Sequence, residues 1–164
     1  MQILGAAGKT GAGKTIMIRH IAELLLNGTY GDPVLLYFEA LGSGGMNVEL
    51  KRLLTKEFEK LEEGGTETFV LIDDILYPNQ VEQIHDWGGN VLFVCGDGRL
   101  KDLDAPHRKH ESQLMANDYT AGKSTELFDF CITNHKTEKE FKKEVKRFMH
   151  LFLGGDASYE AGLF

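Results

Sequence analysis

Short apolar runs alternate along the chain with segments of helical periodicity. Continuous apolar runs of the β type cover residues 3–7, 34–38, 69–72, 91–94 and 128–133. Apolar positions recur every three or four residues in the intervening segments, which predicts helices over about 14–26, 47–61, 79–87 and 137–152. Strands that alternate with helices are typical of a parallel sheet covered on both faces. The pattern therefore predicts a three-layer α/β fold with a five-stranded parallel sheet.

The segment from 97 to 125 has no clear period and mixes basic, histidine and acidic residues. We expect it to be a lid-like insertion in a single domain over residues 1–153, followed by a loose tail over 154–164. No apolar run approaches about 18 residues, so we expect no membrane span. Because Met1 leads directly into the first strand, we also expect no signal peptide and a cytoplasmic protein.

Composition narrows the possible partners and cofactors. The formal charge is −7, which makes duplex nucleic acid an unlikely ligand. Cys95 and Cys131 lie in separate apolar runs, so we expect buried, inert thiols rather than a disulfide or a zinc site. Glycine is in excess, with 19 in 164 residues, and the positions of these glycines indicate where the chemistry lies.

The segment from Gly8 to Thr15 matches the phosphate-binding pattern G-x-x-x-x-G-K-[ST], with a strand before it and a helix after it. Glycines let the backbone amides converge on phosphate oxygens, and the helix adds its unpaired N-terminal amides. In this pattern Lys14 bridges the β- and γ-phosphates of ATP, and the Thr15 hydroxyl binds Mg²⁺. The predicted nucleotide-binding residues are Gly8, Lys9, Thr10, Gly11, Ala12, Gly13, Lys14 and Thr15.

Two acidic residues, Asp73 and Asp74, follow the apolar run 69–72. An acidic residue at the end of a strand beside a P-loop holds Mg²⁺ directly or through water. We therefore predict that this pair binds the metal, and that Asp74 is catalytic through it. The sequence leaves open which of the two carboxylates acts.

Phosphoryl transfer also needs positive charge near the group that moves. Arg99 follows the fourth strand, and Arg108 lies in the same predicted lid, so both are candidate catalytic residues. The alternative for each is a solvated position in a charged surface loop. His107 and His110 have the spacing of metal ligands on a helix, but no third ligand is evident.

Four further segments occur in the order found in one enzyme family. They are residues 72–80, 88–91, 110–113 and 128–134. With the P-loop, they make most of residues 1–150 resemble the phage deoxynucleoside monophosphate kinases. The resemblance implies a P-loop kinase fold, transfer of the γ-phosphoryl group of ATP to a dNMP, and residence in the host cytoplasm. It also places Asn134 among the nucleotide-binding residues and leaves monomer and homodimer both open.

Three positions depart from the family pattern. Leu76 stands where the family has an Arg, Gln80 where it has a Glu, and Gln113 where an acid follows the His-x-Ser pattern. The stretch between the second and third strands, where the family builds its acceptor pocket, is also short. The residues predicted to bind ATP thus match the family pattern, whereas those expected at the acceptor site differ from it. A changed acceptor, a pocket completed by a partner and a weakened enzyme are all open.

Three functions fit these features. The leading one is a dNMP kinase in which Tyr37, Phe38 and Glu39, at the end of the second strand, contact the acceptor or merely pack there. The second is a kinase for a hydroxyl acceptor, a nucleoside or a hydroxymethylated base in phage DNA, with Glu39 as the general base. The third is a nucleotide-binding ATPase or switch that transfers no phosphoryl group to a small molecule.

Overall fold

Five strands of the described residues form one parallel sheet. The computed structural model describes residues 1–28, 34–39, 68–96, 111–123, 126–135 and 137–154. The strands are β1 (Gln2–Gly8), β2 (Val34–Glu39), β3 (Thr68–Ile75), β4 (Asn90–Cys95) and β5 (Phe130–Thr133). Their order is β2-β3-β1-β4-β5, and every neighbouring pair is parallel.

Helices cover both faces of this sheet. They are α1 (Lys14–Leu26), α2 (Pro78–Asp86), α3 (Glu111–Thr120) and α4 (Glu138–Phe152). Buried side chains of α1 and α4 share one apolar cluster, and those of α2 and α3 share another. The predicted α/β architecture, a parallel sheet with helices on both faces, is confirmed. The predicted helix over 47–61 lies outside the described residues.

The two faces of β1 show why its sequence is apolar after Gln2. Ile3 and Ala7 belong to the cluster beneath α2 and α3, whereas Leu4 and Ala6 belong to the cluster beneath α1 and α4. Successive side chains of a strand point to opposite faces, so a strand covered on both sides has no polar position. Residues 3–8 of the central strand are therefore buried, and Gln2 at its start is half-buried. The carboxyl end of the strand is where a functional loop can follow.

The topology identifies one edge of the sheet as the place for a ligand. Strands β3 and β4 pair with opposite edges of β1, and the helices that follow β1 and β3 pack on opposite faces. Where the strand order changes direction in this way, a crevice opens beyond the carboxyl ends of the strands, and ligands of open α/β sheets bind there. In this chain the crevice lies between the ends of β1 and β3.

Two details of the sequence prediction are wrong, and the segment 97–125 contains a helix, α3, that its pattern did not indicate. The weak periodicity of α3 follows from its burial of a polar residue, Gln113, together with Met115 and Ala116. The third strand extends to Ile75, so the acidic pair lies within it. Cys95 is half-buried rather than buried, and Cys131, in the edge strand β5 of the described sheet, is exposed.

The Cys131 thiol nonetheless has a raised pKa, chiefly from partial burial and also from the nearby Cys95. A raised pKa keeps a thiol neutral and poorly reactive. Among the described helices, none combines the length and the apolar character needed to cross a bilayer.

Candidate nucleotide-binding site

The loop between β1 and α1 depends on glycine at three positions. Gly8, Gly11 and Gly13 have φ angles of 144°, 77° and 106°, a region that residues with a Cβ atom rarely adopt. A Cβ atom on Gly8 would also lie 2.6 Å from the carbonyl oxygen of Val94. The loop is therefore shaped by both its own backbone and its close approach to β4.

Gly13 is the residue before the first turn of α1, and it offers no side chain to cap that turn. The first amides of a helix have no partner within the helix, so here they stay available to an anion. Thr15, in the same turn, is exposed. The start of α1 thus presents N–H donors and one hydroxyl to the crevice.

Lys14 is 7% exposed, and its ammonium group has three close oxygen partners. Nζ donates to the carbonyl oxygens of Gly8 at 3.0 Å and Lys9 at 3.2 Å, and it pairs with Asp74 Oδ1 at 3.3 Å. An ammonium group has three protons and no acceptor; two hydrogen bonds hold it here, and the Asp74 carboxylate lies at ion-pair distance. A phosphate oxygen that binds Lys14 would therefore compete with Asp74 for its charge.

A β-bulge brings the acidic pair to the same crevice. Gly5 pairs with Ile72 whereas Ala7 pairs with Ile75, so β3 has one residue more than β1 in this stretch. Asp74 lies in the bulge with φ 62°, and its backbone N–H donates to Asp73 Oδ1 at 2.8 Å. In a regular strand the two side chains would point to opposite faces. The bulge lets both line one cleft.

The two carboxylates differ in their surroundings. Asp73 is 3% exposed, and the side chain of Asp74 is 39% exposed and pairs with Lys14. The buried carboxylate therefore supports the bulge, whereas the accessible one is free to meet a ligand in the cleft.

Two side chains from distant elements brace the P-loop. Asn134, which follows β5, donates from Nδ2 to the carbonyl oxygen of Ala12 at 2.7 Å. Gln113, on α3, accepts from the backbone N–H of Thr10 at 3.0 Å and donates to its hydroxyl at 2.8 Å. The resemblance placed Asn134 at the nucleotide site. The sequence marked Gln113 only as a departure from the family pattern, because nothing in the polar stretch around it indicated a helix against the loop.

Gln80 has a structural part at the start of α2. It is fully buried, and its Oε1 accepts from the backbone N–H groups of Leu76 at 2.8 Å and Tyr77 at 3.1 Å. A glutamate offers the same oxygen, so this departure from the family pattern leaves the helix start intact. Leu76, by contrast, lines the cleft and puts apolar surface there.

The cleft has a volume of about 500 Å³ and gathers most of the described candidate residues. It is lined by Thr10, Gly11, Gly13, Lys14, Thr15, Ile16, Asp73, Asp74, Leu76 and Gln113. Arg99 and Arg108 lie outside the described residues, as do His107 and His110. For Tyr37, Phe38 and Glu39 the backbone register is described, and it pairs Glu39 with Asp73 at the end of β2.

The donors in this cleft suit magnesium better than a softer metal. Hydroxyl and carboxylate oxygens, from Thr15 and the acidic pair, are the ligand types that Mg²⁺ prefers. Within the part of the chain that the structure describes, no group of three or more His, Cys, Asp or Glu side chains has the arrangement of a metal site. Among the described residues that line the cleft, Thr15, Asp73 and Asp74 are those whose oxygens fit Mg²⁺.

Comparison with known proteins identifies the fold. No protein-family model matches the sequence, and no curated protein matches it either. Among solved structures, thymidylate kinase from Ehrlichia chaffeensis matches with a TM-score of 0.52 at 13% identity, over 90% of this chain and 98% of that one. Shikimate kinase from Acinetobacter baumannii, in complex with shikimate, matches with a TM-score of 0.50 at 17% identity, over 93% and 92%. This chain has the fold of P-loop kinases.

Replacing Gly8 with Ala tests the loop geometry. We expect a loss of about 1–3 kcal/mol in the free energy of unfolding, measured by urea denaturation, together with loss of nucleotide binding. The reason is the combination of a positive φ and a Cβ clash with β4. Gly88→Ala is the matched control, since Gly88 has φ 71° but nothing within 4 Å of the added atom. A Gly8 variant as stable as the Gly88 variant would contradict this account.

Proposed function

We propose that the protein is an ATP-dependent phosphotransferase whose acceptor is a deoxynucleoside monophosphate. The observation that carries the proposal is the juxtaposition of Lys14 and Asp74 across the cleft at the end of β1 and β3. A buried ammonium group, open helix amides and an accessible carboxylate in one crevice suit a triphosphate with its counter-ion.

The residues present fit such a ligand. The amides of the loop and of the first turn of α1 would hold the phosphates, and Lys14 would neutralise their charge. Thr15 and Asp74 would hold Mg²⁺, with Asp73 supporting Asp74 through the hydrogen bond to its backbone. When bound, Mg²⁺ supplies charge that stabilises the phosphate oxygens during transfer.

The chemistry asks for positioning and charge rather than for a general base. The phosphate oxygen of a monophosphate acceptor is already ionised at neutral pH, so it needs no residue to remove a proton. What the chain must do is hold donor and acceptor in line, keep water out and place positive charge on the oxygens. Lys14 provides one such charge from within the described cleft.

Arg99 and Arg108 are the proposed further charges. On each side of the segment that carries them, a described residue lies close to the P-loop. A Cβ atom on Gly96 would lie 3.0 Å from the Ala12 carbonyl oxygen, and Gln113 binds Thr10. Arg99 follows Gly96 by three residues, a reach of at most about 11 Å. This short separation along the chain supports Arg99 as a charge that acts on a bound phosphate.

A nucleotide as acceptor is supported by the family resemblance and by the likeness of the fold to a thymidylate kinase. The register of β2 adds to this support, because Glu39 ends β2 beside Asp73. Tyr37, Phe38 and Glu39 are therefore proposed to contact the acceptor at the carboxyl edge of the sheet.

A hydroxyl acceptor is the second candidate, and Leu76 is the observation that favours it. The family pattern has an Arg at this position, but here an aliphatic side chain lines the cleft. A hydroxyl acceptor carries no phosphate for an Arg to bind, and one neighbour in fold is a shikimate kinase bound to shikimate. In that case Glu39 would accept the hydroxyl proton.

A panel of acceptors distinguishes these functions. Purified protein with radiolabelled ATP and Mg²⁺ is incubated with each dNMP, each deoxynucleoside and shikimate, and labelled products are separated. We expect label on at least one dNMP, with Glu39→Gln keeping much of its kcat because no proton needs to be removed.

Label on a deoxynucleoside or shikimate alone, abolished by Glu39→Gln, would support the hydroxyl kinase. ADP release that is indifferent to every acceptor would contradict both and leave the ATPase.

A further inference from the structure

Gln113 joins α3 to the P-loop through both ends of its side-chain amide. Its Oε1 accepts from the Thr10 backbone N–H at 3.0 Å, and its Nε2 donates to the Thr10 hydroxyl oxygen at 2.8 Å. The side chain is only 5% exposed, although it lines the cleft. The two residues are 103 positions apart in the chain, so this pairing belongs to the tertiary structure.

The chemistry of the pair favours an amide over a carboxylate. A glutamine offers one acceptor and one donor side by side, which match the N–H and the hydroxyl oxygen of Thr10. A glutamate accepts only, and it adds a negative charge to a cleft built for phosphates. A leucine of similar size leaves the Thr10 N–H without this acceptor.

We propose that Gln113 is a positioning residue that holds the P-loop in its nucleotide-binding shape before the nucleotide arrives. This rests on the proposed function only in that the cleft binds a nucleoside triphosphate. A loop that is already ordered loses less conformational freedom on binding, so the pair raises affinity for the nucleotide. The neutrality of Gln113 adds no further negative charge to a cleft that two carboxylates, Asp73 and Asp74, already line.

The test is a double-mutant cycle on nucleotide binding. Gln113→Leu and Thr10→Val are made singly and together, and the affinity for a fluorescent ATP analogue is measured with Mg²⁺ and without any acceptor. We expect Gln113→Leu to bind about 10-fold more weakly, and Thr10→Val to lose less, because Thr10→Val keeps the backbone N–H that donates to Gln113. The double variant should bind no worse than Gln113→Leu, which already removes both hydrogen bonds. In turnover the KM for ATP should rise more than kcat falls.

Gln113→Glu separates charge from hydrogen bonding. It keeps an acceptor for the Thr10 N–H, and the Thr10 hydroxyl can turn to donate to the second oxygen. We expect weaker binding of the ATP analogue, with a loss that shrinks as salt is added, because salt screens the added charge. Gln83→Leu is the matched control: Gln83 is half-buried on α2, outside the residues that line the cleft, and its change should leave ATP affinity unchanged.

Strict additivity of the two single effects, or a lower melting temperature with unchanged ATP affinity, would overturn the proposal. Because no acceptor is present, these outcomes are distinct from failure of the proposed transfer. If the protein binds the ATP analogue through this pair but phosphorylates no dNMP, the role of Gln113 stands and the proposed acceptor is wrong.

Discussion

Replacing Lys14 with Met is expected to lower the rate of phosphoryl transfer by about 100- to 1000-fold, the usual loss when one preorganised donor to a reacting oxyanion is removed. The variant keeps an unbranched apolar stem of similar length but has no ammonium group. It therefore loses both the charge for the phosphates and the three oxygen contacts that Lys14 makes in the unliganded protein. Initial rates with saturating ATP and the best acceptor of the panel give the comparison.

Two further variants make the Lys14 result specific. Lys142→Met removes a lysine on α4 whose partner is Glu138 at 3.0 Å, and the rate should stay near that of the unchanged protein. Lys14→Arg keeps the charge, but a planar guanidinium cannot reproduce three converging ammonium contacts, so we expect only partial activity. A Lys14→Met protein that is folded and retains a tenth or more of its activity would contradict the proposed site.

Replacing Asp74 with Asn is expected to have opposite effects on two kinds of ligand. With Mg²⁺ and ATP, kcat should fall by about 100-fold or more, because the accessible carboxylate proposed for the metal is gone. Without metal, binding of ATP or tripolyphosphate should tighten by about two- to fivefold. The reason is that Asp74 competes with phosphate for Lys14, and a half-exposed ion pair of this kind is worth about 1 kcal/mol or less.

Asn is chosen so that the substitution adds no backbone strain to the comparison. Asp74 has φ 62°, and Asn is among the few residues that tolerate that conformation. Calorimetry with EDTA gives the metal-free affinities. Steady-state rates at several Mg²⁺ concentrations give the change in kcat. A variant that binds tripolyphosphate more weakly than the unchanged protein would show that Asp74 does not compete for Lys14.

Asp73→Asn is the matched comparison one residue away. Asp73 is buried and accepts the Asp74 backbone N–H through Oδ1, which an asparagine oxygen can also do. If Asp74 serves the metal, Asp73→Asn should lower kcat less than Asp74→Asn does and leave metal-free binding unchanged. The reverse ranking of the two kcat values would assign the metal to Asp73.

Much of the fold was predictable because local pattern and tertiary role coincide in its central elements. The apolar runs of β1 and β4 are continuous because both faces of each strand are covered, so their composition alone indicates a buried parallel sheet. The P-loop is equally local: its eight residues determine a backbone path that needs glycine at Gly8, Gly11 and Gly13.

Other features of the fold could not be predicted from the pattern of neighbouring residues. Helix α3 buries Gln113 where a periodic pattern would show an apolar residue, because that side chain is paired with Thr10 instead of with the core. Its mixed polarity therefore gave no indication of a helix. Cys131 lies in an apolar run and was expected to be buried, but its place in β5 leaves it exposed.

The acidic pair shows most clearly which features the sequence predicts and which depend on the tertiary structure. Its position after an apolar run predicted a metal-binding role at a strand end, with Asp74 as the catalytic residue, but it left open which of Asp73 and Asp74 serves the metal. A register shift between β1 and β3 places Asp74 in a bulge, makes it accessible and sets it against Lys14. Strand register depends on pairing with a distant strand, so it cannot be inferred from the residues of β3 alone.

The amino-acid sequence by itself determined the parallel α/β architecture and the glycine path of the P-loop, and it predicted a nucleotide as the ligand, because each depends on neighbouring residues and elementary sterics. Only the tertiary structure decided which carboxylate meets Lys14, that Gln113 and Asn134 brace the loop, and that Leu76 lines the cleft. Each of these is a contact between elements far apart in the chain, and such contacts are set by how the sheet and helices pack.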